Sequence, residues 1–230
     1  MKNNKLDIKR TLETIEILRL RITDRFPDSS LSKVCGQLYS IALESNKNIE
    51  FITQPIWWLR ICFGMIILIF LPTLAYLLFY TSNKVPSNKF LHLNAEEIES
   101  SIQILLFIGG AIFFLFRIEG TFKRKKALKF LHELRAIAHV IDMHQLTKDP
   151  KSLNKNSTPN SPKRDLNNYD LSRYLDYCCE MLSLTSKISA LYANDYDDEI
   201  VLNTVNEIEE LTLGLNQKIW QKIILIEREI

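Results

Sequence analysis

The fold is decided by the stretch SSIQILLFIGGAIFFLF, residues 100–116. It holds 17 residues without a charge, most of them Ile, Leu and Phe, which is at the short end of what crosses the hydrocarbon core of a bilayer. The pair Gly109-Gly110 lies near its middle, and small residues there let a second helix approach closely. The stretch predicts a membrane-spanning helix. The glycine pair is either a packing notch against another span or a self-association face or pore hinge.

A dense group of basic residues follows this stretch. It consists of Arg117, Lys123, Arg124, Lys125, Lys126 and Lys129. Such a cluster beside a span marks the cytoplasmic side and attracts anionic lipid headgroups. It lacks the interleaved aromatic side chains that stack on bases, and the whole chain carries a formal net charge of only +2. We therefore expect this cluster to set topology and contact lipid, and we expect no nucleic-acid partner.

A longer apolar stretch precedes the first one in the chain. Residues 61–83 are 23 in number and carry no charge. They follow Trp57, Trp58 and Arg60, which are residue types that anchor a span at the headgroup interface. We therefore predict a transmembrane hairpin at 55–118.

The connection between the two apolar stretches sets the predicted orientation. Residues 81–95 contain only Lys84 and Lys89 among Lys and Arg, far fewer than the cluster after the second span. Positive charge stays on the cytoplasmic side, so this connection is expected to be an external loop. The predicted spans are then about 57–80 and 100–117, in an inner or plasma membrane with both termini cytoplasmic.

The second span is expected to continue into the cytosol as a stalk helix at 119–149. No proline occurs between Glu96 and Thr147, and Gly120 is the weak point of the cytosolic part. One helical stripe of the stalk is apolar: Ala127, Phe130, Leu131, Leu134, Ile137, Ala138 and Ile141. Leu128, Met143 and Leu146 lie roughly opposite it. A helix that is apolar nearly all round is usually buried, so we expect the stalk at the centre of a helical bundle.

The stalk also carries a series of polar side chains: His132, Arg135, His139, Asp142 and His144. The first four lie on one side of the helix. One interpretation is a buried polar network in which Asp142 holds His139 and Arg135 or partners from other helices. A second is a ligand or anion pocket built on Arg135 and His139. A third is a metal or hydrolytic site using His139, Asp142 and His144, although Asp142 and His144 do not share a helix face.

The remaining sequence completes an all-α membrane protein. Residues 1–54 predict an N-terminal cytosolic helical hairpin, and 150–167 are a polar, proline-containing linker that we expect to be flexible. Residues 168–230 predict a C-terminal cytosolic helical hairpin that packs on the stalk. Four cysteines are scattered along the chain and predict no disulfide framework in a cytosolic setting.

The layout of a membrane hairpin with cytosolic helices resembles that of bacterial two-transmembrane effector proteins of anti-phage or conflict systems. The resemblance covers the layout and assigns no site residue; it implies a membrane-perturbing or pore-forming output. We expect a non-enzymatic oligomer whose cytosolic bundle senses a protein or small-ligand partner and whose hairpin transmits or executes a membrane response. The alternatives are a membrane-tethered metal-assisted hydrolase and a passive membrane scaffold. No resident cofactor or metal is expected, and no residue is assigned a catalytic role.

Overall fold

The computed structural model describes residues 7–84, 95–148, 160 and 166–228. Within these residues every regular element is an α-helix, which confirms the predicted all-α class. The helices are α1 (Ile8–Arg25), α2 (Ser30–Thr53), α3 (Trp57–Lys84), α4 (Ala95–Leu146), α5 (Asn168–Asp195) and α6 (Glu199–Glu227). The predicted external loop lies outside the described residues from 85 to 94, and so does most of the predicted linker.

The chain divides into two compact units. The first, here called the core unit, comprises residues 1–53 and 124–230; the second, the apolar unit, comprises residues 54–123. The longest helix, α4, belongs to both units because it runs without a break from Ala95 to Leu146, through Gly120. It ends before the Asp149-Pro150 pair, where the residue preceding proline disfavours helix.

Four helices of the core unit begin at side chains that accept hydrogen bonds from the first helical turn. Asp7 caps α1, Ser29 caps α2, Asn167 caps α5 and Asp198 caps α6. The Asp198 carboxylate accepts from the backbone N–H groups of Ile200 and Val201, each at 3.2 Å. Such caps satisfy N–H groups that have no partner within the helix.

The most deeply buried helix of the core unit is α5. It buries two stripes, one that includes Leu171, Leu175 and Leu182 and one that includes Tyr177, Met181 and Leu184. It packs against α1, α2 and α6, and the buried residues of α1, α2, α4, α5 and α6 form one hydrophobic core. The core unit is therefore organised around α5.

The prediction that the stalk is the central helix is wrong. In the core unit, α4 buries one face, which includes Leu131, Leu134 and Ile141. On the opposite side Met143 and Leu146 are exposed. A few apolar residues on that side suggested an all-round apolar helix, but they are too widely spaced to form a second continuous stripe.

Side-chain contacts of the core unit place α4 between α2 and α6. The Arg124 guanidinium donates to the Asp198 carboxylate at 2.8 Å, at the start of α6. On the α2 side, the Lys126 ammonium lies 3.7 Å from the centre of the Phe51 ring. These contacts leave the face of α4 opposite its buried stripe open to solvent.

The apolar unit presents large apolar side chains outward. They include Trp57, Trp58, Leu68, Ile69, Leu106, Phe107, Phe113 and Phe114. The structure contains two helical stretches, within Ser30–Thr73 and Ile102–Leu146, that are long and apolar enough to cross a membrane by length and composition. None of the residues in the apolar window of the second stretch is buried. This pattern is the reverse of the core unit, where the apolar stripes are covered.

Candidate functional site

The exposed side of α4 in the core unit forms a regular stripe, which we call the outer face. It consists of Lys125, Lys129, His132, Ala136, His139 and Met143, all exposed. Steps of three and four residues keep these side chains on one side of the helix. The outer face carries two lysines and two histidines. The Lys129 ammonium lies 3.9 Å from the Glu133 carboxylate at its edge, whereas Lys125 forms no ion pair within the described residues.

Two of the predicted polar residues lie at the edge of the outer face and form hydrogen bonds with other side chains of the protein. The Arg135 guanidinium donates a hydrogen bond to the Glu207 carboxylate of α6 and forms an ion pair with it. The Asp142 carboxylate accepts from the side-chain amide of Gln145 at 2.6 Å. Both groups are half-buried, and their partners orient them along the side of α4 that faces α6.

A third predicted residue, His144, points to a different neighbour. Its Nδ1 atom and the Ser30 hydroxyl share a hydrogen bond of 3.3 Å, which links the end of α4 to the start of α2. The Lys148 ammonium lies 5.3 Å from the centre of the Tyr174 ring, linking the same end of α4 to α5. His144 is therefore used as a helix-to-helix contact.

The structure does not gather the five predicted polar residues into one site. His132 and His139 are exposed, and neither forms a hydrogen bond or ion pair within the described residues. Asp142 and His144 diverge toward different helices. Across the part of the chain that the structure describes, no group of three or more His, Cys, Asp or Glu side chains could hold a metal ion. The arrangement is an exposed surface with supported edges rather than a buried network.

The basic cluster divides into held and free cations. Within the apolar unit the Lys123 ammonium lies 2.9 Å from the Glu119 carboxylate. In the core unit Arg124 and Lys126 are held by the contacts described above, whereas Lys125 is exposed. Arg117 is exposed in the apolar unit. The predicted lipid-contacting set therefore contains three cations that the protein itself engages.

Glu119 forms contacts that the sequence did not single out. Its carboxylate accepts a hydrogen bond of 3.3 Å from the backbone N–H of Ile56, just before α3. Burial raises the pKa of Glu119, but the Lys123 ammonium, the Ile56 N–H and the charge of Arg60 outweigh it, so the net pKa is lowered. The spacing of Glu119 and Lys123, four residues apart on a helix, was the signal available in the sequence.

A second missed feature is the contact between α6 and the end of α4. The Lys222 ammonium donates to the backbone carbonyl of Gln145 at 3.0 Å and to its side-chain oxygen. Gln145 is buried, and its amide in turn holds Asp142. No sequence signal relates residues this far apart in the chain.

The predicted interface residues of the first span lie at the start of α3. Trp57, Trp58 and Arg60 are exposed. On α4, Gly109 and Gly110 are also exposed, and a Cβ atom built at either one would meet no described atom within 4 Å. Within the described residues the glycine pair is therefore not filled by another part of the same chain.

No protein family, curated protein or solved structure matches this chain. Three surfaces described above are the candidate functional regions of the described residues. These are the outer face of α4, the exposed apolar surface of α3 and α4, and the basic and aromatic groups near Glu119.

Proposed function

We propose that this chain is a two-span integral protein of an inner or plasma membrane, with both termini in the cytoplasm, acting as a non-enzymatic oligomer. Its core unit receives a cytosolic partner or ligand, and its two spans transmit or execute a response in the membrane, with pore formation as the candidate output. The observation that carries the proposal is the exposed apolar surface of α3 and α4 in the apolar unit, whereas the apolar stripes of the core unit are buried.

Exposure of this kind supports lipid as the surrounding medium. Phe107 is 84% exposed and Leu68 is 72% exposed, and both lie among other exposed apolar side chains. Soluble monomers rarely present contiguous apolar patches beyond a few hundred Å². Transfer of such surface out of water is worth roughly 25 cal/mol per Å², so insertion of α3 and α4 into a bilayer is strongly favourable.

The outer face of α4 is the surface we assign to partner binding. Its lysines and histidines face solvent, and the Arg135–Glu207 pair and the Lys222–Gln145 contact support its edges. Lys125 is exposed and forms no ion pair within the described residues, and a cation of this kind is complementary to an acidic surface, which favours an acidic protein partner. Because α4 continues without a break into the apolar unit, a partner bound there contacts the helix that also forms the second span.

Gly109 and Gly110 support the oligomeric part of the proposal. Both are exposed and unfilled within the described residues, and glycines let the backbones of two membrane helices approach closely. A second copy of the chain would supply the missing neighbour. The two-span architecture also requires several copies to enclose a path for ions.

Membrane integration is tested first, by substitution with lysine at two exposed apolar positions. Phe107→Lys places a charge in the predicted span, whereas Ile17→Lys makes the same change at an exposed apolar site of α1 in the core unit. We expect Phe107→Lys to release much of the protein from membranes on alkaline carbonate extraction, and Ile17→Lys to leave it membrane-bound. Equal behaviour of the two variants would contradict the spanning assignment.

The membrane response is tested in liposomes that contain a fluorescent ion indicator. The wild-type protein is expected to admit ions, and the double variant Gly109→Leu, Gly110→Leu is expected to form smaller oligomers with lower flux. Gly64→Leu, a change at another exposed and unfilled helical glycine, is the matched control. Unchanged stoichiometry in the double variant would remove the glycine pair from the association face. An oligomer that passes no ions would exclude the pore as output.

A further inference from the structure

Within the apolar unit, the start of α3 lies close to the segment of α4 around Glu119. The backbone N–H of Ile56 donates to the Glu119 carboxylate at 3.3 Å, and the positive charge of Arg60 acts on the same carboxylate. The first turn of α3 therefore lies beside the segment of α4 that follows Arg117. Arg60 and Arg117 therefore lie at the same end of the unit, where Arg117, two residues from Glu119, projects from a different face of α4.

Glu119, the carboxylate described at this end, forms its ion pair with a lysine and not with either arginine. Glu119 is held by Lys123 at 2.9 Å, and the side chains of the pair are only 17% and 13% exposed, respectively. Neither Arg60 nor Arg117 forms an ion pair with any described residue, and both are exposed. The local acid is thus neutralised by a lysine, and the two arginines keep their charge available to a ligand.

The neighbours of the two arginines are apolar and face outward. Arg60 is three residues from Trp57, and Arg117 is three and four residues from Phe114 and Phe113, so each arginine shares a helix face with exposed aromatic side chains. Tryptophan favours the headgroup level of a bilayer, and arginine forms bidentate contacts with phosphate groups. The surface therefore combines aromatic side chains suited to the headgroup level of a bilayer with arginines suited to binding phosphate.

We infer that Arg60 and Arg117, together with Trp57 and Trp58, form a contact surface for the headgroup phosphate of acidic phospholipids. This inference rests on the proposed membrane insertion and goes beyond it by naming the lipid class. It also assigns the lipid contact to two residues 57 positions apart in the sequence, rather than to the basic run 123–126, in which Lys123, Arg124 and Lys126 are engaged by the protein.

The test uses the protein's own fluorescence. The chain has three tryptophans, and in the Trp220→Phe variant only Trp57 and Trp58 remain. That full-length variant is reconstituted in phosphatidylcholine vesicles containing the same fraction of brominated phosphatidylglycerol or brominated phosphatidylcholine, matched in acyl chains. We expect the acidic lipid to be enriched about threefold or more at the tryptophans, seen as stronger quenching. Substitution of Arg60→Gln and Arg117→Gln should bring the two lipids to equal quenching.

Two control pairs remove the same charge elsewhere. Lys187→Gln with Lys218→Gln alters exposed cations of the core unit, and Arg124→Gln with Lys126→Gln alters cations that the protein holds. Both pairs should keep the preference for the acidic lipid. Equal quenching in the parent variant would overturn the inference, as would a preference that survives loss of Arg60 and Arg117 or disappears in either control.

The same measurement separates this inference from the proposed function. Quenching by neither brominated lipid would mean that Trp57 and Trp58 do not reach the bilayer, which would contradict membrane insertion. Equal quenching by both lipids would leave insertion standing and remove the acidic-lipid surface alone. In the arginine variant, persistent quenching by brominated phosphatidylcholine together with an unchanged far-ultraviolet circular dichroism spectrum shows that the protein is folded and inserted.

Discussion

At the residue scale, the end of α4 depends on one lysine from another helix. The last carbonyl groups of a helix have no intrahelical donor, and a positive charge there is favourable. Lys222 supplies both the donor and the charge at Gln145, while Gln145 itself holds Asp142. Three residues from two helices therefore secure the edge of the outer face.

We predict that Lys222→Met lowers the free energy of unfolding of the core unit by about 1–3 kcal/mol, because the buried oxygens of Gln145 lose their donor. Lys218→Met, four residues earlier on the same helix and exposed, should change it by less than about 0.5 kcal/mol. Urea denaturation followed by circular dichroism measures both. Indistinguishable midpoints would show that this contact contributes nothing to stability.

The buried thiols and phenols predict a loss of stability at alkaline pH. Burial raises the pKa of Cys35, Cys179 and Tyr192 to about 12 each. Because a raised folded-state pKa disfavours the ionised form, the stability is fully present below the unfolded-state pKa values of about 9–10 and is lost as pH rises toward 12. The thermal midpoint of the core unit should therefore fall between about pH 9 and 12. A flat profile over that range would contradict the burial of these groups.

At the element scale, the number of neighbours decides which helix matters most. Helix α5 is covered by neighbours on several sides, whereas α4 in the core unit is covered on one. Removing buried volume from a helix with many neighbours leaves a cavity that its surroundings fill only in part. The same change on the open side of α4 removes little buried surface.

One pair of methionines tests this difference with identical chemistry. Met181 of α5 is 0% exposed and Met143 of α4 is 66% exposed. Met181→Ala is expected to lower the free energy of unfolding by about 2–5 kcal/mol, and Met143→Ala by less than about 0.5 kcal/mol. Chemical denaturation of the two variants gives the comparison. A larger loss from Met143→Ala would restore α4 as the central helix.

Helical periodicity in the sequence was enough to predict the helices and most of their buried stripes. The predicted stripe of the stalk, which includes Leu131, Leu134 and Ile141, is buried. The central helix was misassigned because coverage depends on partners that periodicity does not specify. Tyr177, Met181 and Leu184 of α5 follow one another at helical steps and are buried. On α4, Leu128 is separated from Met143 and Leu146 by several helical turns, so these residues do not form a continuous apolar stripe.

The candidate site was predictable in its residue types but not in its arrangement. Asp142 and Arg135 each have a partner, as their charge required, yet those partners come from α4 itself and from α6. Neither Glu207 nor Lys222 carries a sequence signal that pairs it with a residue of α4. Such pairs exist only after α6 has packed beside α4.

At the scale of the whole molecule, one helix joins the two units. Helix α4 passes through Gly120 without interruption, and a Cβ atom built there would meet no described atom within 4 Å. The chain connects the two units at two places, within α4 and between Thr53 and Gln54. Of these two connections, the one within α4 is a continuous helix.

Substitutions at Gly120 test this continuity. Gly120→Ala should strengthen the helix by about 0.5–1 kcal/mol, because alanine loses less backbone entropy than glycine. Gly120→Pro should break it, because proline removes a hydrogen bond and clashes with the preceding turn. Hydrogen–deuterium exchange over residues 117–127 is expected to slow in the first variant and to accelerate in the second. Fast exchange there in the unaltered protein would mean that the helix is interrupted.

The core unit is built from chain segments that precede and follow the apolar unit in the sequence, and this has a consequence for biosynthesis. Helices α1 and α2 leave the ribosome first, but the helix they pack against, α5, follows the whole of the apolar unit. At ~5–20 residues per second, synthesis of the residues between the end of α2 and the end of α5 takes on the order of ten seconds. The apolar faces of α1 and α2 lack α5 as a partner during that time. The proposed membrane insertion of α3 and α4 would therefore precede completion of the core, and a nascent chain that stops before residue 168 leaves those faces open to chaperones and proteases.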